Sequence, residues 1–359
     1  MNERMSRRAF IKAGAGASVA GPLASTAAAV STQPSGTTQA RPGSKMIWAN
    51  LLHLSYNMWC DWDSPELKDK YTTCKPHLRF DGKLWDDLLK KMTDVGMTMV
   101  LIDLGDGVKY QSHPEIAVKN AWPVDQLKKQ LARIRRMGLE PIPKLNFSAT
   151  HDAWLGPYSR CVSTDAYYAV CRDLIAEVTE LFDKPRFFHL GLDEETARHQ
   201  RHHEYVVIRQ FDLWWRDFCF YVEQVTKNGS RPWIWADYLW HHPEDFFKKM
   251  PRSVLQSNWY YGTEFGKDLA CVKAYHDLEE HGYDQVPTGS NWSSPENFGL
   301  TVEYCARHLD PARLLGFMQA PWHPTVEACR RHHTEALDQV ARAMARLRGC
   351  AESGQPSNL

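Results

Sequence analysis

The chain has 359 residues, and its 43 Lys and Arg balance its 43 Asp and Glu, so it is formally neutral. Without a basic block, nucleic acid is excluded as the main partner. Nine cysteines with no C-x-x-C pair argue against a zinc ribbon or a thioredoxin-type centre.

The N-terminus is read first because it stands apart from the fold. "SRRAFIK", Ser6 to Lys12, sets twin arginines ahead of an Ala- and Gly-rich stretch reaching Val30, and it resembles a Tat export signal. Pro22 and the many small residues suit a cleaved signal at 1–30 better than a membrane anchor of ~20 strongly apolar residues. No stable membrane insertion is expected, and a periplasmic or extracellular location is. Removing this segment takes away Arg4, Arg7, Arg8 and Lys12 against Glu3 and leaves a net charge of about −3. Residues 31–44 are Ser, Thr, Gln, Pro and Gly, a composition that cannot bury enough apolar surface to offset ordering, so a flexible linker is predicted. The folded region is expected over residues 45–350, with a disordered tail at 351–359. Export permits disulfides, and Cys60 with Cys74 is a candidate pair, although the helix-like settings of Cys171, Cys219 and Cys329 favour buried thiols.

Within the folded region a single unit repeats: an amphipathic helix, a Gly-containing turn, then a short apolar strand. After a first strand in "MIWANLLHLSYNMW", Leu84, Trp85, Leu88, Leu89 and Met92 share a helical stripe, Gly96 ends the helix, and Met97 to Ile102 form a β run before Asp103. Leu127, Leu131 and Ile134 make the next stripe, Gly138 the stop, and Leu139 to Leu145 the strand. "DAYYAVCRDLIAEVTELF" then delivers "FFHLGLDEE". A helix from Glu204 to Asn228 feeds "RPWIWAD". Strands follow in "SVLQSNW", "DQVPTGSNW" and "LLGFMQAPW", and a last helix is expected from Thr325 to Arg348. Eight strands alternating with helices predict an α/β fold, a (β/α)8 TIM barrel, and no G-x-G-x-x-G follows the first strand to favour an open doubly wound sheet.

The C-terminal ends of barrel strands converge on one face, where active sites sit. That face would gather Asp61, Asp63, Asp103, Asp106, Asn146, His151, Asp152, Asp193 to Glu195, Asp237, Asn258, Asn291 and Gln319, beside tryptophans such as Trp59, Trp154, Trp240 and Trp292. Fourteen tryptophans is a heavy load. Sugar faces stack on indoles while hydroxyls bond to Asp, Asn and Gln, so the mixture suits a carbohydrate cleft; large aromatics also simply fill a barrel wall. The acidic run Asp193–Glu195 has a plainer reading as a helix cap, which accounts for Glu195 better than for Glu194.

"HLGLDEE" resembles the H-x-G-G-D-E pattern of family 20 glycoside hydrolases, the β-N-acetylhexosaminidases. His189, Gly191, Asp193 and Glu194 match, and Leu192 stands where the second Gly would be. The resemblance implies substrate-assisted retaining hydrolysis, with Asp193 orienting a 2-acetamido group whose oxygen is the nucleophile and Glu194 as general acid/base. It extends weakly to "WIWAD", "LQSNWYY" and "GFMQAPW". On that basis His151, His189, Trp235, Asp237, Trp259, Tyr260, Tyr261 and Trp322 are substrate-binding candidates, one of the two tyrosines holding the acetamide oxygen. The substrate implied is an oligosaccharide or polysaccharide, with no cofactor and no metal. Two residues depart from the pattern. The first strand, Leu51 to Asp63, lacks the expected Arg, and His323-Pro324 replaces the Glu after the last-strand Trp.

Two other readings stand beside this one: a catalytically silent glycan-binding barrel, and a metal-dependent hydrolase using Asp103, His151 and Asp193. His199, His202 and His203 have helical metal-ligand spacing, yet in a run with Arg198, Gln200 and Arg201 they read better as a solvated loop or helix start.

Overall fold

The computed structural model describes residues 46–62, 65–67 and 71–353. The expected export signal at 1–30, the linker at 31–44, Asp63, and the tail after Ser353 lie outside the described residues. No described helix is long and apolar enough to cross a membrane.

Eight parallel strands run round a barrel: β1 (Ile47–His53), β2 (Met99–Asp103), β3 (Glu140–Lys144), β4 (Phe187–His189), β5 (Arg231–Trp235), β6 (Leu255–Ser257), β7 (Thr288–Gly289) and β8 (Gly316–Gln319). β1 pairs with both β2 and β8. The β6–β7 seam is made by bridges from Gln256 to Gln285 and from Trp259 to Thr288. The predicted (β/α)8 architecture is therefore present. Its helices are α1 (Gly82–Val95), α2 (Val124–Arg136), α3 (Asp165–Leu181), α4 (Phe211–Lys227), α5 (Pro243–Lys249), α6 (Ala270–Glu280), α7 (Asn297–His308) and α8 (Arg330–Ser353).

Local sequence explains much of this. In α1 the Asp81 carboxylate accepts the Leu84 N–H at 2.9 Å. The stripe Leu84, Trp85, Leu88, Leu89 and Met92 is buried, and Gly96 at φ 88° supplies the left-handed stop. β3 reads Glu140-Pro141-Ile142-Pro143-Lys144. Alternate residues of a strand face alternate neighbours, and proline has no N–H to donate. β3 accordingly pairs along its whole length with β2 and with β4 only at Lys144–His189. β7 is short for a related reason, because Pro287 precedes it.

Three boundaries differ from expectation. α4 starts at Phe211 rather than Glu204, so the histidine-rich segment is a loop. α8 starts at Arg330 after a 3-10 turn at Glu327–Cys329, because the Thr325 hydroxyl donates to the His53 carbonyl at 2.7 Å and ties that residue to the end of β1. The same helix continues to Ser353, three residues into the expected tail. Cys60 and Cys74 are free thiols, with the Cys74 Sγ 3.0 Å from the Asn57 carbonyl.

Candidate active site

The chain leaves β4 through left-handed residues. Gly191 (φ 70°), Leu192 (φ 72°) and Glu194 (φ 56°) all take positive φ, with Asp193 among them. Two neighbours hold this turn. From the end of β3, Asn146 Oδ1 accepts the Leu192 N–H at 3.1 Å while its side-chain Nδ2 donates to Asp193 Oδ1 at 2.7 Å. From the end of β5, Asp237 Oδ2 accepts the Glu194 N–H at 2.9 Å. Glycine is demanded at 191, where a Cβ would lie 2.1 Å from Asn146 Oδ1.

The buried His151 sits between the two carboxylates. Its Nε2 is 3.5 Å from Asp193 Oδ2 and 3.3 Å from Glu194 Oε2. His199, on the loop after β4, brings Nε2 to 3.4 Å from Glu194 Oε1. Burial alone would raise the Glu194 pKa, but His151 and then His199 outweigh it and hold the carboxyl below its usual value. Burial would likewise lower His151, and the charges of Asp193 and Glu194 carry it above the ordinary imidazole range. Asp237 is pushed up to about 7, by burial first and then by the Asp193 charge.

Glu195 is turned away from this group. Arg209 donates to both of its oxygens, and the backbone N–H groups of Ala149 and Arg209 complete the shell.

Asp193 and Glu194 open into a cavity of about 490 Å³ walled by Tyr56, Trp59, Trp259, Tyr261, Trp292 and Trp322, with Thr72, Gly262 and Ser293 also lining it. That volume lies in the range of small-molecule pockets, about 300 to 1,000 Å³. Trp322 Nε1 donates to the Tyr261 hydroxyl at 2.8 Å, and Trp259, stacked on Tyr261, donates to Asp237 Oδ1 at 3.2 Å. Since Tyr261 already accepts, its own hydroxyl proton is free for a ligand.

Of the residues singled out from sequence, Asp193, Glu194, Trp259, Tyr261 and Trp322 line the cavity, His151 contacts both carboxylates, and Asp237 accepts from the Glu194 backbone N–H and from Trp259. Tyr260 does not line it: its hydroxyl donates to the Glu264 carbonyl at 2.9 Å, and its ring meets Phe265. Trp235 is a buried support 5.6 Å from the Trp322 ring, and His189 lies beneath it at 4.5 Å, kept neutral by burial and then by Lys144. Other acidic and amide candidates are committed elsewhere. Asp103 is neutralised by Lys144 at 2.5 Å, Asp61 pairs with Arg160, Asp152 accepts the Arg160 N–H, and Gln319 meets Gln339. The three histidines of the loop diverge, His199 to Glu194, His202 to Glu66 and His203 into a buried position, so they form no common ligand set. Tyr56 was not apparent from sequence; only its place just past β1 could have indicated it.

Comparison with known proteins adds one result. The chain resembles the solved β-N-acetylhexosaminidase of Bacteroides fragilis, at TM-score 0.58 and 15% identity over 82% of this chain and 65% of that one. It also resembles a family 20 exo β-N-acetylglucosaminidase from Vibrio harveyi, solved with N-acetylglucosamine (TM-score 0.56, 13% identity, 86% of this chain and 57% of that one). Dispersin B matches at TM-score 0.51 and 14% identity, over 83% of this chain and 99% of that one. The shared feature is the fold. The chain spans less than two thirds of the length of the first two structures. No protein-family model matches, and no curated protein matches by sequence.

Proposed function

We propose that the protein is an exported glycoside hydrolase that cleaves 2-acetamido glycans, of the N-acetylglucosamine type, by substrate-assisted retaining hydrolysis. The observation that carries this reading is the adjacent pair Asp193 and Glu194, held at the barrel mouth by Asn146 and Asp237, facing a cavity walled with indoles. The fold shared with solved N-acetylhexosaminidases supports it. The twin-arginine sequence supports export.

In this mechanism the sugar stacks on the Trp322 and Trp259 side of the cavity. Asp193, its Oδ1 fixed by Asn146, turns Oδ2 to the acetamido N–H and pushes electron density towards the carbonyl oxygen. That oxygen attacks the anomeric carbon while the Tyr261 hydroxyl, keeping its proton, donates a hydrogen bond to it. Glu194 protonates the departing oxygen, then removes a proton from the water that opens the cyclic intermediate. His151 and His199 favour the ionised form of Glu194. A neutral sugar that displaces water from the cavity raises the cost of that charge and favours the protonated acid.

The test is a thiazoline that copies the cyclised intermediate, assayed with aryl glycosides with and without a 2-acetamido group. The wild type should cleave the acetamido sugar and be inhibited by the thiazoline, and Asp193→Asn should lose both properties. A 2-fluoro glycoside that left a covalent adduct on Asp193, with no thiazoline inhibition, would replace substrate assistance with a direct carboxylate nucleophile. Glycan binding without any turnover would establish the silent barrel instead.

A further inference from the structure

The spacing of the groups around His151 has a second meaning. Its side chain is 2% exposed, yet neither ring nitrogen makes a hydrogen bond. Its Nε2 faces Asp193 Oδ2 at 3.5 Å and Glu194 Oε2 at 3.3 Å, long for a charge-assisted hydrogen bond of about 2.7 to 2.9 Å. These two separations match the edge of a tetrahedron of ligands around zinc, about 3.3 to 3.5 Å for bonds near 2.0 to 2.1 Å, and the Asp193 and Glu194 oxygens lie within 4.8 Å of each other. Among the described residues His151, Asp193 and Glu194 are the one such grouping, with their ligand atoms within 4.8 Å of one another.

The outer partners fit as well. Asn146 binds Asp193 Oδ1 and leaves Oδ2 directed at His151. His199 lies outside this group: its Nε2 is 3.4 Å from the second oxygen of Glu194 and its Nδ1 2.8 Å from the Thr196 hydroxyl, so it acts as an outer partner that orients the Glu194 carboxylate.

We propose that His151, Asp193 and Glu194 form a three-ligand binding site for a zinc-class divalent ion, and that this ion and a glycan exclude one another. A mixed set of one imidazole and two carboxylates favours zinc over magnesium, which demands octahedral oxygen coordination. The ion would take the oxygens that Asp193 and Glu194 need for the acetamido group and the leaving oxygen. The site itself rests on geometry alone; its role as a reversible brake rests on the hydrolase reading above.

The experiment is calorimetric titration of the full chain, stripped with EDTA and dialysed, against zinc chloride and against magnesium chloride. We expect one zinc per chain at micromolar concentration and no magnesium binding. His151→Ala and Glu194→Gln should each weaken zinc by more than about 10- to 100-fold, the loss typical of removing a mere outer partner. His332→Ala, which breaks the His323–His332 ring pair at 3.9 Å, should not. Glu194 is partly exposed, so its variant should keep the wild-type melting curve and remain informative if His151→Ala unfolds. No saturable zinc, or equal affinity in Glu194→Gln, overturns the site. In turnover of an aryl 2-acetamido glycoside, zinc should compete with substrate and EDTA should restore the rate. Zinc-insensitive turnover would remove the inference and leave the hydrolase standing. One bound zinc on a protein with no turnover would do the reverse, and activity that required zinc would keep the site while ending the metal-free mechanism.

Discussion

Arg209 grips Glu195 with two charge-assisted hydrogen bonds, Nε to Oε1 at 2.8 Å and Nη2 to Oε2 at 2.5 Å, with both side chains buried. Arg209 also donates to Asp217, the Tyr221 hydroxyl and the Phe147 carbonyl, so it fastens the loop after β4 to α4 and to the end of β3. Breaking a buried pair by removing one charge leaves the other uncompensated, at about 3 to 5 kcal/mol. Glu195→Gln should therefore lower the melting temperature sharply while the protein that stays folded keeps its rate per molecule. A variant with normal melting and lost turnover would make Glu195, rather than Glu194, the chemical group.

Glu194→Gln preserves shape and removes the transferable proton. Turnover should fall by ~10² to 10⁴-fold, most for poor leaving groups, with little change in melting. Full turnover on a natural glycoside would exclude Glu194 as the acid.

Gly191→Ala tests how the turn is built. The new methyl group would meet Asn146, the residue that holds both the Leu192 N–H and Asp193 Oδ1. Left-handed backbone strain adds ~1 to 3 kcal/mol. The variant should melt lower and lose turnover even though neither carboxylate has been altered. Unchanged turnover would show that Asn146 does not set the position of Asp193.

Asp237 gives a pH signature. An unfolded aspartate titrates near ~3.9, whereas burial and the Asp193 charge push folded Asp237 up to about 7, so the folded state holds this proton more tightly. Its contribution to stability is fully present below the unfolded value and is lost as pH rises through about 7. Asp237→Asn keeps a carbonyl for the Glu194 N–H and cannot ionise. Between about pH 5 and about pH 8 the wild type should lose several more degrees of melting temperature than the variant. Parallel pH dependence in the two proteins would mean that Asp237 is ionised throughout.

What was legible in the sequence was what is encoded locally. The α1 stripe and its Gly96 stop follow from side chains within one helix, and the apolar run into Asp193 and Glu194 marks a strand end by itself. The partners of these residues are not local. Arg209 lies in a loop whose path depends on packing, so its pairing with Glu195 could not be read from the chain. Tyr260 and Tyr261 are adjacent, and only the direction of the backbone beyond β6 decides which ring enters the cavity. Loop folding also brings His199 onto Glu194, although a histidine among arginines reads as solvated. Leu192 obscured the pattern for another reason: it adopts the left-handed φ that a glycine would take freely, and its side chain is buried.

Among the described residues lining the main cavity none is Lys, Arg or His, while two are carboxylates. The cavity is thus lined by carboxylates and aromatic walls, with His151 and His199 offsetting part of the negative charge from outside the lining, and under the proposed function it would sort glycans by charge as well as by shape. A sulfated or uronic sugar would bring its anion up to Asp193 and Glu194 and be repelled. A sugar that has lost its acetyl group carries an ammonium that the same carboxylates attract, yet it has no acetamido oxygen with which to cyclise. On a partly deacetylated polymer such units would be held without being cut, and the polymer's own chemical history would set how far the proposed hydrolase could proceed along it.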